Sequence, residues 1–489
     1  MASLKRFFKD TFIYGLATVL PRVINFLMLR VHTDILPAND YAQNTDFYIW
    51  AGLTAVLLTF GLETAFFRFY AKADKKDALV STSFISMLIS VSVFLVMMFL
   101  FFDSFLNFFD FENNPLRLKL FIGIMALDTI AMVPFAYLRA SNRPMKYAVI
   151  KLVNVGVIVV INLVFLKFVP EFIADGKSLP EIIVANYNSI PIVEYIFVAN
   201  LFGSAISFLL LIPYLLRFKF QFDIDLLKKM LTYSWPIAVA GIAYIINENL
   251  DKFLIKRMVG DSEMGIYAAC YKLAIFMNLY IMAFRLGAEP FFFNHADKKG
   301  AKETYARIMN YFVIIGALVF VGIVVYIDFL KELFIHNSEY WSAIQIVPVV
   351  LLAYLFLGIY HNLAIWYKLT DKTRFGMYFS IIGAVITIIL NIWLIPKIGI
   401  MAAAWATLIA YASMTIISYF IGKKHYPVNY PLKKMGIYLV VSIVISSISF
   451  LIYRGDFWVS TLLLFIFGGI IFWNERKEIN QLLNNKTIQ

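Results

Sequence analysis

The sequence predicts an all-α, polytopic membrane protein with fourteen transmembrane helices, two parallel six-helix lobes and a C-terminal helix pair. Three observations predict it. First, 61% of the 489 residues are hydrophobic and only 15% are charged. A spanning helix takes about 20 mostly apolar residues, so fourteen absorb roughly 290 and leave no room for a large soluble domain. Second, the loops between apolar runs alternate between basic and nearly neutral. Third, a stretch in the first half recurs in the second at a shift of 226 residues.

The expected spans run in order along the chain. The first, 10 to 33, follows Lys5, Arg6 and Lys9 and contains Pro21 and Arg22. It has no small-residue cleavage site, so it reads as a retained helix and not as a secretory signal. The second, 43 to 67, ends against Arg68, Lys72, Lys75 and Lys76; the third and fourth, 79 to 102 and 118 to 138, return to Arg139, Arg143 and Lys146. The fifth and sixth, 147 to 168 and 193 to 216, lead to Arg217, Lys219, Lys228 and Lys229. The seventh and eighth, 231 to 250 and 265 to 288, end at Lys298, Lys299, Lys302 and Arg307. The ninth and tenth, 308 to 327 and 345 to 367, reach Lys368, Lys372 and Arg374. The eleventh and twelfth, 376 to 395 and 400 to 421, reach Lys423, Lys424, Lys433 and Lys434. The last pair, 434 to 452 and 457 to 474, stops before Arg476, Lys477 and Lys486.

These clusters put 28 of the 43 basic residues on one side. Short cytoplasmic loops retain Lys and Arg, so both termini are expected in the cytoplasm of a bacterial cell, beneath its inner membrane. The net charge of +12 is therefore a topology signal, met by anionic lipid headgroups, and calls for no nucleic acid. The one cysteine, Cys270, lies in an apolar span and reads as a packing residue; no internal disulfide framework can exist.

The repeat pairs Tyr41 with Tyr267, Ala42 with Ala268, Ile49 with Ile275, Leu53 with Leu279, Gly61 with Gly287, Glu63 with Glu289, Phe66 with Phe292 and Phe67 with Phe293, eight identities in 27 ungapped positions. Six helices separate the matched elements, so the two copies share one orientation and are related by an axis along the membrane normal. The expected lobes are residues 1–217 and 218–425, with 426–489 as the appended pair and a cytoplasmic tail. Parallel lobes of this kind enclose a cavity that opens to either side in turn, which suits a transporter.

Ionisable groups inside spans are costly and usually face a bundle interior or a water-filled cavity. Arg22 and Arg30 on the first helix, with Lys272 and Arg285 on the eighth, are the candidates for a cationic substrate cavity; each pair keeps roughly to one helical face. Guanidinium forks suit phosphate or carboxylate, so the expected cargo is anionic. Glu63, Glu289, Asp128 and His361 are candidates for gating or for coupling to H+ or Na+. Structural alternatives stand beside these: Arg285 and Glu289 are spaced to pair with each other, Lys272 and Arg30 are placed to snorkel, and a lone Asp or His is often a hydrogen-bonded structural residue. No metal site or cofactor is expected. Gly176-Lys177-Ser178 lacks the preceding glycine of a phosphate-binding loop, and neither HExxH nor Gly-x-Ser-x-Gly occurs. The reading is a non-enzyme driven by a gradient or by its substrate's own free-energy drop.

Several stretches carry a family resemblance. Asp251-Lys-Phe-Leu-Ile255, Gly265-Ile-Tyr-Ala-Ala-Cys-Tyr-Lys272 and Ala288-Glu-Pro-Phe-Phe-Phe293 resemble the middle of polysaccharide biosynthesis flippases, which are related to the multidrug and toxin extrusion transporters. Tyr14-Gly-Leu, Asp34-Ile-Leu-Pro-Ala-Asn-Asp-Tyr-Ala42 and Trp366-Tyr-Lys-Leu-Thr370 are similar too. The resemblance implies a flippase that carries a polyprenyl-diphosphate-linked oligosaccharide from the inner to the outer leaflet by alternating access, for cell-surface polysaccharide synthesis. Its partners would be that anionic lipid-linked oligosaccharide and membrane lipids, and Arg22, Arg30, Lys272 and Arg285 would line its cationic cavity. A cation-coupled multidrug or small-molecule antiporter shares the fold, but favours a carboxylate-dominated cavity. A membrane glycosyltransferase or polymerase would need a sizeable outer loop, whereas residues 169–192 hold only Glu171, Asp175 and Glu181 as acids.

Overall fold

The computed structural model describes residues 20–484 apart from 22, 71–74, 142, 177–186, 188, 220, 296–299, 371 and 373. Among the described residues every regular element is a helix. Eleven helices are long and apolar enough to cross a membrane, or up to thirteen if two bent pairs each form one span. Residues 10–19 and 22 of the expected first span fall outside the described residues; its described end is a helix, α1 (23–35). The chain is a multi-pass membrane protein. Side chains such as Phe99, Leu451 and Trp458, 84%, 77% and 80% exposed, face outward where lipid and not water can cover them.

Contacts divide the chain into two compact units, Met1–Gly265 and Ile266–Gln489. In the first, α2 (Ala38–Thr59) and α3 (Leu62–Tyr70) form one of the two bent pairs, with 44° between their axes. The break has a local cause. Phe60 and Gly61 adopt left-handed backbone, φ 49° and 67°, which costs a bulky residue such as Phe energy and a glycine almost none. The bend frees carbonyls that a side chain can take up: the Ser90 hydroxyl donates to Leu58 O at 2.8 Å.

α4 (Lys76–Leu100) crosses next and leads into the short amphipathic α5 (Phe102–Phe109). α6 (Pro115–Ala140) and α7 (Pro144–Asn162) each begin with proline, whose missing N–H costs nothing at that position. α7 widens into a π turn over Leu163–Phe168 before α8 (Val169–Ala174), which places Pro170 where no hydrogen bond is lost. α9 (Glu194–Leu215) packs against α6 and α7.

α10 (Ile224–Met258) is 35 residues long and is capped by Asp223, whose side chain accepts from the Asp225 and Leu226 amides at 3.0 Å. The sequence repeat places this seventh helix at the head of the second lobe; its contacts are with α2, α3 and α4. Its fit against the bend is close: a Cβ on Gly61 would lie 3.1 Å from Ser234 O and 3.2 Å from Ala238 N. α11 (Asp261–Lys272) approaches α2 more closely still at Gly265, where a Cβ would lie 2.0 Å from Ala38 O. No residue but glycine fits there.

α11 runs across the boundary of the two units, and with α12 (Ile275–His295) it forms the other bent pair, also at 44°. α13 (Ala301–Val325) is followed by the short α14 (Ile327–Phe334), α15 (Ile346–Leu363), α16 (Ile365–Leu369), α17 (Arg374–Ile398) and α18 (Ile400–His425). α18 packs on α15 and α17. The appended pair, α19 (Leu432–Leu451) and α20 (Phe457–Asn484), lies on α13. Arg454, in the turn between its helices, donates to Asp328 of α14 at 3.1 Å. Lys331 and Arg454 together hold that carboxyl below the usual range although its partial burial acts the other way.

Candidate functional site

The first unit carries two kinds of polar cluster. One is largely buried and held by ion pairs, although Glu194 Oε2 and Asp46 Oδ1 accept no hydrogen bond among the described residues. Arg117 near the start of α6 donates through Nε to Glu194 Oε1 at 2.8 Å, Asn114 donates to the same oxygen at 2.8 Å, and Arg117 also reaches Gln43 of α2. Glu194 is wholly buried. Beside it Lys256 of α10 bridges Asp46 of α2 and Asp110 of the α5–α6 turn, both at 2.8 Å. The Lys256 ammonium holds the Asp110 carboxyl below the ordinary aspartate value, chiefly through its hydrogen bond. Buried ion pairs of this kind tie α2, α6, α9 and α10 together; breaking one leaves a bare charge in a dry interior.

The other cluster is open. Asp128, midway along α6, remains exposed. Ser204 of α9, Lys151 of α7 and the Tyr48 phenol of α2 lie within electrostatic reach of it. Tyr48 is 45% exposed and its hydroxyl accepts from Asn200 at 2.7 Å. The Lys151 ammonium sits 4.2 Å over the Phe135 ring and feels Glu63 and Arg139 as well. Glu63 of α3 in turn accepts from Arg139 at 2.9 Å, with both side chains close to half exposed. A polar track thus runs within this unit from Tyr48 and Asn200 through Asp128 and Lys151 to the Glu63–Arg139 pair. Its order is hydroxyl, amide, carboxylate, ammonium, carboxylate and guanidinium, and its two carboxylates are groups chemically able to hold a proton or a small cation.

Two gating candidates, Glu63 and Asp128, therefore share one track. Arg30 is half exposed at the end of α1 and lies 3.8 Å from Asp34, one turn on. In the second unit, Arg285 of α12 and Lys368 of α16 are the charged groups acting on His361 of α15. Lys272 closes α11 at the bend before α12. Arg22 lies outside the described residues, as does the side chain of Glu289. Among the described residues no group of three or more His, Cys, Asp or Glu converges on a point that would hold a metal.

Sequence reasoning missed Arg139 and Lys368, read only as loop charges, and missed Tyr48, Asn200 and Ser204. Asn200 and Ser204 stand four apart in an otherwise apolar span, a spacing that puts both on one face; that signal was present. Nothing in the sequence marked Arg139 as the partner of Glu63, 76 residues away.

Comparison with known proteins gives these polar groups a setting. The family described as polysaccharide biosynthesis protein matches residues 7–293, and the MatE family matches residues 236–393. An uncharacterized membrane protein of Methanocaldococcus jannaschii, MJ1375, is 26% identical over 202 residues, 41% of this chain and 46% of that protein, so the match spans less than half its length. Among solved structures, the lipid II flippase MurJ in an inward closed conformation aligns over 95% of this chain and 99% of its own, with a TM-score of 0.74 and 15% identity. An inward-facing multidrug resistance MATE family transporter of the MOP superfamily aligns over 83% and 94%, with a TM-score of 0.64 and 12% identity. The fold is that of the flippases and transporters of this superfamily.

Proposed function

We propose a function from one premise: this chain belongs to the polysaccharide biosynthesis protein family. It acts as a flippase that moves a polyprenyl-diphosphate-linked oligosaccharide from the inner to the outer leaflet of a bacterial inner membrane, with both termini in the cytoplasm and no covalent change to the cargo. What supports an anionic cargo is the family together with the basic residues of the second unit's helices, Arg285 on α12 and Lys368 on α16, whose charges both reach His361. Cations in an apolar span are expensive to keep, and a diphosphate repays that cost by accepting several charge-assisted hydrogen bonds. Arg22, Arg30 and Lys272 would add to the same recognition. The polar track through Asp128 supports coupling to H+ or Na+, with Glu63 and Glu289 at a gate.

Leaflet exchange in vesicles tests this reading. Purified protein given a fluorescent polyprenyl-diphosphate oligosaccharide should move it across the bilayer, and Arg285→Gln should slow that at least tenfold. Release of a glycosyl-transfer product would instead mean an enzyme. A second reading, a cation-coupled antiporter of smaller solutes, is favoured by the exposed Asp128 carboxylate; it predicts drug efflux that stops with Asp128→Asn and is indifferent to Arg285.

A further inference from the structure

Lys151 is an ammonium kept inside an apolar span with no carboxylate to hold it. It is partly buried on α7, and among the described residues no hydrogen bond or ion pair reaches it. Its Nζ rests instead 4.2 Å over the Phe135 ring of α6. An aromatic face offers a cation a quadrupole and no net charge, and holds it more loosely than a carboxylate would. A cation so placed, costly to keep in a span, has no fixed partner and is able to move.

The charged groups that act on it are Asp128 on one side and Glu63 with Arg139 on the other. Along α6, Asp128, Phe135 and Arg139 stand seven and four residues apart, spacings that keep all three on one face. At 1.5 Å per residue the Phe135 level is about 10 Å from that of Asp128 and about 6 Å from that of Arg139, so the ammonium waits between two carboxylates. The way toward Glu63 is aromatic. Phe135 meets Tyr147 of α7 edge-on at 5.6 Å, and the Arg139 guanidinium lies 5.9 Å from the Tyr147 ring and 4.7 Å from the Phe67 ring of α3. Arg139 holds Glu63 through one hydrogen bond, from Nη1 to Oε1 at 2.9 Å, and not through a two-pronged fork. The second carboxylate oxygen is left for another cation.

We propose that Lys151 is a tethered counter-cation that moves between Asp128 and Glu63 and so reports the charge of the first to the second. With Asp128 ionised, the ammonium is drawn toward it and Arg139 keeps Glu63. Once Asp128 is neutralised, Glu63 is the carboxylate that still attracts the ammonium, which moves there in competition with Arg139. The guanidinium is released, and the tie between α3 and α6 loosens. The functional meaning of this movement rests on the coupling role proposed for Asp128; the movement itself does not.

Phenylglyoxal, which modifies a guanidinium faster once its carboxylate has gone, tests the movement in the purified full-length protein, with peptide mass spectrometry reading the rate at Arg139. Asp128→Asn, which fixes the neutral state, should raise that rate at least threefold. Asp128→Asn with Lys151→Met should return it to the parent value, and Asp128→Asn with Lys151→Arg, which keeps a cation on α7, should stay fast. Lys151→Met alone should be no faster than the parent. An Arg139 rate unmoved by Asp128→Asn, or a fast rate that survives Lys151→Met, would overturn the proposal. Leaflet exchange with and without an ion gradient is scored separately. Release of Arg139 in Asp128→Asn alongside exchange indifferent to every gradient refutes the coupling role and spares the moving ammonium, whereas gradient-driven exchange with Arg139 blind to Asp128 does the reverse.

Discussion

Two regions of the first unit use charge in opposite ways. Around Arg117, Glu194, Lys256 and Asp46 the charges are buried and each is matched at 2.8 Å. Around Asp128 the carboxylate stays exposed midway along its helix, with a hydroxyl and a more distant ammonium as company. A clamp and a relay need different things from the same chemistry. The clamp gains from exclusion of water and from short pairs, and it loses heavily if one partner goes. A group in the coupling role proposed for Asp128 must exchange its charge, so a tight partner would defeat it.

That contrast can be broken or sharpened by substitution. The largest effect is expected for Arg117→Met, which strands the fully buried Glu194: about 3–5 kcal/mol of stability, read as a fall in thermal midpoint in detergent. Lys256→Met should follow at about 3 kcal/mol, because it strands Asp46, 2% exposed, while the half-exposed Asp110 recovers water. Asp128→Asn should do the reverse: transport at least tenfold slower, equivalent to about 1.4 kcal/mol of barrier, with stability changed by no more than about 0.5 kcal/mol. Equal melting losses at Arg117 and Asp128 would erase the distinction. The smallest effect concerns pH. Asp110 titrates below its unfolded value, so its contribution to the clamp is complete above the ordinary aspartate range near pH 4 and fades as pH falls through the lower folded value. Asp110→Asn should flatten that acid limb of the melting profile.

Much of the fold was legible because the bilayer imposes a one-dimensional rule: length of apolar run and charge of loop suffice to mark a span. The long-range pairs were not, because no local rule joins Arg117 to Glu194, 77 residues on, or Lys256 to Asp46, 210 residues back. Asp128 and Glu63 were visible as misplaced charges, yet the link between them runs through Lys151 and Arg139, and only packing shows which residues of α3, α6 and α7 face each other. The bend at Phe60 was invisible for another reason. The Phe60-Gly61 pair reads as ordinary apolar sequence in a span, and the α10 backbone that leaves no room for a Cβ on Gly61 comes from a distant part of the chain.

The one thiol deserves a practical reading. Cys270 is fully buried and its Sγ donates to Tyr340 O at 3.1 Å. Reagents attack an accessible thiolate, so maleimides should pass the parent protein by. New cysteines placed singly in each loop can then be labelled from either side of sealed vesicles, and the native chain serves as its own blank.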